Sequence, residues 1–464
     1  MQEASLPDPT AVNILVAGGS GFIGSRLIKK LSEDIHHNIP ESKRRHILCL
    51  TRDPESVRHM FASEVTLVKA DVSDYKGLSI AMSQPIDIAY YLVHSMEGSS
   101  KEWKKFSERD RIAAMTFAKV ATENKVKRII YLGGLIHLDN EEDKLSEHMR
   151  SRREVGEILQ RNSSSKVTIF RAAVILGQGG GSFQMLEYLV ERLPIMICPR
   201  WVLTKCQPIS VYDVVDYLAK SIEVKETEGE TFDIGGPEVL TYVDMMRKYA
   251  KILNKPLRIL IIPFLTPRLS SYWVDLVTPV RASLARPLID SLRHDATVQN
   301  DSVRRLIPIQ LKTFDQAVQA SRNEKSSIKP PKKNVKEKSS LRMNRKVLMI
   351  SLLAIAVIGP TYYFIDGRPE VYQIKWIIVS MLWYLGIAFA IYFLRYGARL
   401  GALVAGVVGW LSLTFWLVDN FYVLGAMSVL ASSPDMSITI RNFIGAGLAA
   451  VVVATSHNIF HKLP

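Results

Sequence analysis

Three runs of nineteen residues without a charge, 347–365, 376–394 and 400–418, follow one another near the end of this 464-residue chain. A helix crosses a bilayer core with about 20 apolar residues, so each run is of spanning length. Helices of soluble domains usually keep a polar face, and these runs have none. A weaker run, 438–455, carries Arg441 near its start. The reading is an all-α membrane domain of about four transmembrane helices over residues 347–464. Gly401, Ala405 and Gly409 recur every four residues, as do Gly445 and Ala449. Small residues at that spacing let helices approach closely, within one bundle or between protomers. No acid, Lys or Arg sits in the middle of a run, so nothing suggests an ion or proton path. His457 and His461 share one helix face without a nearby carboxylate or cysteine, which points to an interfacial place. No metal site is expected.

The formal charge of +14 invites a nucleic-acid partner until it is located. Residues 322–346 hold ten Lys/Arg against two acids. This Lys-, Ser- and Pro-rich stretch reads as an exposed basic linker. What remains for residues 1–321 is ordinary for a soluble region, so no nucleic acid is needed to explain the charge. Lys and Arg are retained on the cytoplasmic side of short membrane loops. The linker, Arg395, Arg399 and Lys462 therefore place the first region and both termini in the cytoplasm, in a multi-pass integral membrane protein. The run can also attract anionic headgroups. Residues 1–10 do not read as a secretory signal. Three cysteines exclude a disulfide scaffold. Cys49 falls in a strand as core, and Cys198 and Cys206 are given no role.

Residues 12 to about 320 alternate short β-branched runs with amphipathic helical patterns, as in a parallel α/β fold. Strands are expected at 12–17, 46–50, 65–70, 86–93, 128–132 and 166–170. The first runs into Gly18-Gly19-Ser20-Gly21-Phe22-Ile23-Gly24, with a helical pattern after it. In that context Gly18 permits the tight turn, Gly21 the approach of a pyrophosphate, and Gly24 close helix–strand packing. The helix N-terminus adds free N–H groups and positive partial charge. The second strand ends in Thr51-Arg52-Asp53-Pro54. An acid at that end would hold a ribose 2′-hydroxyl, whereas a guanidinium can pair a 2′-phosphate. Arg52 favours NADP, and Asp53 keeps NAD open. Ligands of open parallel sheets bind at strand carboxyl ends, where Asp71, His94, Ser95 and Gly133 fall.

With these residues the region resembles the atypical or extended short-chain dehydrogenase/reductase superfamily, in its NAD(P)-binding, NmrA-like and complex-I-39-kDa-subunit-like branch. Gly18 to Gly24, Thr51 to Pro54, Asp71-Val72 and Tyr90 to Met96 carry the resemblance. So do Phe170 to Gly177, Gln207 to Val214 and Phe232 to Pro237. It covers about two thirds of the chain and leaves the membrane domain outside. It implies a Rossmann-type doubly wound sheet with a smaller substrate subdomain over 1–321. It also implies that Phe22 and Ile23 hold the pyrophosphate, that Asp71 and Val72 contact adenine, and that Leu92, Val93 and His94 line the nicotinamide ribose.

The family's chemistry uses a Ser or Thr after the fifth strand, and Tyr and Lys four apart on the next helix. Here the serine position reads Gly133 or Gly134, His148 replaces the Tyr, and Arg152 replaces the Lys. Imidazole is a competent acid–base group near neutral pH. Arg152 could hold a ribose or phosphate but keeps its proton, and beside it His148 would tend to be neutral. The competing reading of His148 is an exposed position on an amphipathic helix. Two functions stay open. One is an NADP-dependent oxidoreductase or epimerase-like enzyme acting on a small lipophilic substrate. The other is a non-catalytic NADP(H)-binding scaffold or redox sensor with a membrane protein partner or in a homo-oligomer.

Overall fold

The structure, a computed structural model, describes residues 11–33, 45–94, 103–136, 145–193, 195–262, 274, 289–292, 294–327, 335–360, 374–395, 399–430 and 436–462. The chain divides into two compact units, Met1–Tyr272 with Arg281–Ile328, and Trp273–Val280 with Lys329–Pro464.

The first unit is built on a seven-stranded sheet. In chain order its strands are β1 (Val12–Ala17), β2 (Arg45–Thr51), β3 (Thr66–Lys69), β4 (Ile88–Tyr91), β5 (Arg128–Gly134), β6 (Lys166–Ala172) and β7 (Thr231–Ile234). Across the sheet they run β7-β6-β5-β4-β1-β2-β3, and every pair is parallel. The order reverses direction between β1 and β4, which opens a crevice at their carboxyl ends. The six expected strands are all present. The seventh, β7, was not expected as a strand; it has four residues and pairs with β6.

Helices cover both faces. Alternate residues of each strand point to opposite sides. Leu15, Leu48, Ala89, Tyr91, Ile129 and Tyr131 pack with Leu78, Phe117 and Leu159, from α2 (Tyr75–Ala81), α3 (Trp103–Glu123) and α4 (Glu147–Asn162). Their neighbours Ile14, Val16, Ile47, Cys49, Tyr90 and Ile130 pack with Leu27, Ile28, Val214 and Leu218, from α1 (Gly24–Glu33) and α6 (Val211–Lys220). Between those last two in sequence lies α5 (Gly181–Arg192). Each such buried aliphatic side chain contributes about 1.5–3 kcal/mol. All three cysteines are buried and free.

The stretch 322–346, expected to be an exposed basic linker, is helical where it is described. α7 (Phe314–Ser327) runs through its start, because Glu324 pairs with Arg26 at 2.6 Å and Lys325 reaches the buried Glu187 at 3.4 Å. These pairs carry the first unit past residue 321. α8 (Val335–Ile358) takes in its end.

The second unit also contains α9 (Ile374–Arg395), α10 (Arg399–Leu430) and α11 (Met436–Lys462). Among the described residues three helical segments are long and apolar enough to cross a membrane: Ile377–Arg395, Arg399–Asn420 and Ile440–Lys462. Four were expected. The apolar run from 347 is helical only to Ile358, and residues 361–365 lie outside the described ones. The small residues are used inside this unit. A Cβ on Gly409 would stand 2.8 Å from Val452, one on Gly401 2.5 Å from the backbone of Leu394, and one on Gly445 2.6 Å from Trp416. Asp419, just past the third apolar run, and Arg441, near the start of the fourth, lie on α10 and α11. The Arg441 guanidinium is 3.4 Å from Asp419, and Asn442 donates to the same carboxylate at 2.7 Å. Pairing lets both charges be buried, at 5% and 8% side-chain exposure.

Candidate functional site

The turn after β1 is shaped for a close approach. Gly18 has φ +83°, and a Cβ there would stand 2.7 Å from the Leu92 carbonyl oxygen. A Cβ on Gly24 would meet the Gly18 carbonyl, and one on Gly21 would lie 3.1 Å from the same oxygen. Side chains are therefore excluded where the chain enters α1, whose first N–H groups have no partner within the helix. This cradle is also clasped from outside. Arg26 donates to the carbonyls of Phe22 at 2.7 Å and Gln178 at 2.8 Å, and to Glu324 at 2.6 Å.

A cavity of about 430 Å³ opens from this turn. Of the residues singled out in sequence, Gly18, Gly21, Phe22, Ile23, Gly24, Leu92, His94, Gly133, Gly134, His148 and Arg152 line it. Leu135, Ile136, Leu145, Met149 and Leu292 add an apolar wall. Ser20, Thr51, Arg52, Asp71, Val72 and Val93 are not among its lining residues. Ser20 is exposed, Val72 is buried and Val93 is half-buried. Ser95 lies outside the described residues.

The β2 end carries the two charged residues Arg52 and Asp53, both exposed. The Asp53 carboxylate caps the short helix after it, accepting from the Ser56 N–H at 3.4 Å. The Thr51 hydroxyl accepts from the Asp53 N–H at 3.3 Å. Arg52 is exposed. Asp71, at the end of β3, accepts from the Ser73 N–H at 2.9 Å and from its hydroxyl at 2.5 Å. Partial burial opposes ionisation of Asp71, but the Ser73 bonds and the Arg52 charge outweigh it and hold the carboxyl below its ordinary value.

The other end of the cavity is built by α4. Its N-cap, Ser146, accepts from the Met149 N–H at 3.2 Å. The helix turns His148 and Arg152, four apart, to the same side. His148 is therefore not an exposed surface position. Burial, then the neighbouring His94 and Arg152, push its imidazole well below the ordinary value. The Arg152 guanidinium donates to the Leu132 carbonyl and lies 5.1 Å from the Tyr131 ring centroid. At the serine position a Cβ on Gly134 would stand 2.8 Å from Met149, so α4 occupies the space a side chain would need. Among the described residues no lysine lines the cavity, and the one tyrosine is Tyr242, whose phenol burial pushes well above its ordinary value.

Sequence reasoning missed Asp110. It lies on α3, is 6% exposed, and its Oδ2 is 3.2 Å from His94 Nδ1. The same oxygen accepts from the Ser151 hydroxyl at 3.2 Å. Burial lowers the affinity of His94 for a proton, against the pull of Asp110.

Parallel sheet, glycine cradle and cavity at the strand ends define a Rossmann-type domain of the extended short-chain dehydrogenase/reductase class. Residues 14–154 match the NAD dependent epimerase/dehydratase family. The Auxiliary protein GraX of Staphylococcus aureus is 33% identical over 130 residues, 28% of this chain and 38% of that protein. A mitochondrial NADH dehydrogenase [ubiquinone] 1 alpha subcomplex subunit 9 of Dictyostelium discoideum is 26% identical over 202 residues, 42% of this chain and 53% of that one. The matches thus span about half or less of these curated relatives. An NADPH-dependent quinone oxidoreductase from Escherichia coli superposes with a TM-score of 0.52 at 17% identity, covering 66% of this chain and 98% of that one; at that identity the likeness is one of fold.

Proposed function

We propose that this protein is a membrane-anchored oxidoreductase that uses NADP(H) on a small lipophilic substrate, with its nucleotide-binding unit on the cytoplasmic side. The cavity carries the proposal. One end is a glycine cradle suited to a pyrophosphate, and the other is an apolar wall with three imidazoles, those of His94, His148 and His294, and no charged side chain except Arg152 and Asp295 among the described lining residues. Such a wall suits a carbonyl or alcohol on an apolar frame better than a sugar. NADP is favoured over NAD because an exposed guanidinium, Arg52, stands at the β2 end, and the neighbouring Asp53, also exposed, uses one carboxylate oxygen in its helix cap. Gly18, Gly21, Phe22, Ile23 and Gly24 would hold the pyrophosphate, Asp71 and Val72 the adenine, and Leu92 and Val93 the nicotinamide ribose. When bound, the nucleotide supplies hydride chemistry, and the protein positions it. The basic run before the first apolar stretch supports the cytoplasmic placement.

Fluorescence titration of the full chain in nanodiscs tests this. NADPH should bind at least tenfold tighter than NADH, a difference of about 1.4 kcal/mol. Arg52→Ala should erase that preference and leave NADH binding unchanged. Failure to bind either nucleotide sinks the proposal. The glycines at the serine position favour a second reading, a non-catalytic NADP(H)-binding scaffold or sensor with a membrane protein partner. It predicts nucleotide binding without NADPH oxidation on any lipid extract.

A further inference from the structure

His94 and His148 reach the cavity from different elements, His94 just beyond β4 and His148 on the first turn of α4. Their ring centroids are 4.9 Å apart, with planes tilted by 49°. The two imidazoles are not equivalent. His94 Nδ1 faces the buried Asp110 carboxylate at 3.2 Å, and that carboxylate is steadied by Ser151. A carboxylate in that place keeps the proton on Nδ1 and leaves the lone pair on Nε2. His94 Nε2 is buried and has no hydrogen-bond partner among the described residues. Among the described residues His148 Nδ1 is likewise buried and unpartnered, and burial, His94 and Arg152 lower its affinity for a proton against the pull of Asp110.

We infer that His94 Nε2, oriented by Asp110, is the atom that exchanges a proton with the substrate oxygen. It thereby takes the part of the missing tyrosine hydroxyl. Asp110 is a positioning residue, and His148 remains a neutral hydrogen-bonding group. The inference rests on the oxidoreductase reading above. In the oxidising direction the substrate O–H proton passes to His94 Nε2. The carbinol C–H bond breaks, its hydride leaves for the oxidised nicotinamide dinucleotide, and C=O forms. Reduction runs the same transfers backwards. The imidazolium formed at His94 is compensated by Asp110, which a proton on His148 beside Arg152 would not be to the same degree.

A bromomethyl ketone with an octyl chain tests this on the full chain in nanodiscs. An imidazole nitrogen attacks the CH₂Br carbon, an N–C bond forms, and bromide leaves; peptide mass spectrometry locates the adduct. The adduct should form on His94. Asp110→Asn should slow it at least tenfold, and Ser151→Ala two- to fivefold, with NADPH affinity within twofold of the unaltered chain for both variants. Asp110→Glu should recover part of the rate. If Asp110→Asn does not fold, the Ser151→Ala rate decides. Labelling of His148 in preference to His94, no labelling of either, or a His94 rate indifferent to both substitutions overturns the inference. Absence of NADPH binding together with Asp110-dependent labelling of His94 would instead remove the nucleotide reading and leave the oriented imidazole standing.

Discussion

At the scale of single residues, glycine and histidine carry most of the consequences. Gly18 combines a left-handed φ with a backbone oxygen 2.7 Å from where a Cβ would stand. Gly18→Ala should cost about 1–3 kcal/mol in backbone strain and abolish NADPH binding, as read by thermal melting and fluorescence titration. His94 and His148 make stability depend on pH. In the unfolded chain both imidazoles take protons near their ordinary value of 6.5, whereas burial lowers that value in the folded chain. Below 6.5 the unfolded chain therefore binds more protons, so this stability is full above 6.5 and is lost as pH falls. His148→Gln should show a smaller drop in melting temperature than the unaltered chain between about pH 7.5 and about pH 5.5. An equal drop would mean that His148 is solvated. The glycines were legible in the sequence because a fixed spacing after a strand has one steric explanation. Asp110 was not, because it meets His94 from another helix, sixteen positions away, and no local pattern encodes that meeting.

At the scale of elements, strand positions were readable because runs such as Val12-Asn13-Ile14-Leu15-Val16-Ala17 are apolar, branched and bounded by turn residues. β7 has only four residues and depends on pairing with β6, so its extended form comes from the sheet. Composition set the end of the first unit at residue 321, and α7 runs past it to Ser327. A Lys- and Ser-rich composition looks solvated, yet α7 is held by Arg26 and Glu187, partners far away in sequence. α4 is the element on which the site depends most. Its cap Ser146 also meets the Ser291 hydroxyl at 3.0 Å. Ser146→Ala should cost about 1 kcal/mol of stability in a denaturant titration of the full chain, and should slow any reaction at the imidazoles by loosening the first turn. A change below a few tenths of a kcal/mol would show that packing alone holds the helix.

At the scale of the whole molecule, a Rossmann-type unit and a helical unit with three segments long and apolar enough to cross a membrane, among the described residues, share one chain. The lengths of the apolar runs announced the second unit, but not the charge pair inside it, because Asp419 and Arg441 stand at run ends where loops are expected. Removing one partner from a buried pair costs about 3–5 kcal/mol, whereas replacing both by apolar groups costs far less. Arg441→Leu should therefore unfold in detergent well before the unaltered chain, and the double change Arg441→Leu with Asp419→Leu should recover most of the loss. Equal sensitivity of the single and double variants would show that the two charges act independently. The clasp on the glycine turn has a consequence for synthesis. Arg26 and Glu324 are 298 positions apart. At about 5–20 residues per second, the helix behind the glycine cradle waits roughly 15–60 s for its last partner, which leaves the ribosome only shortly before the first apolar run.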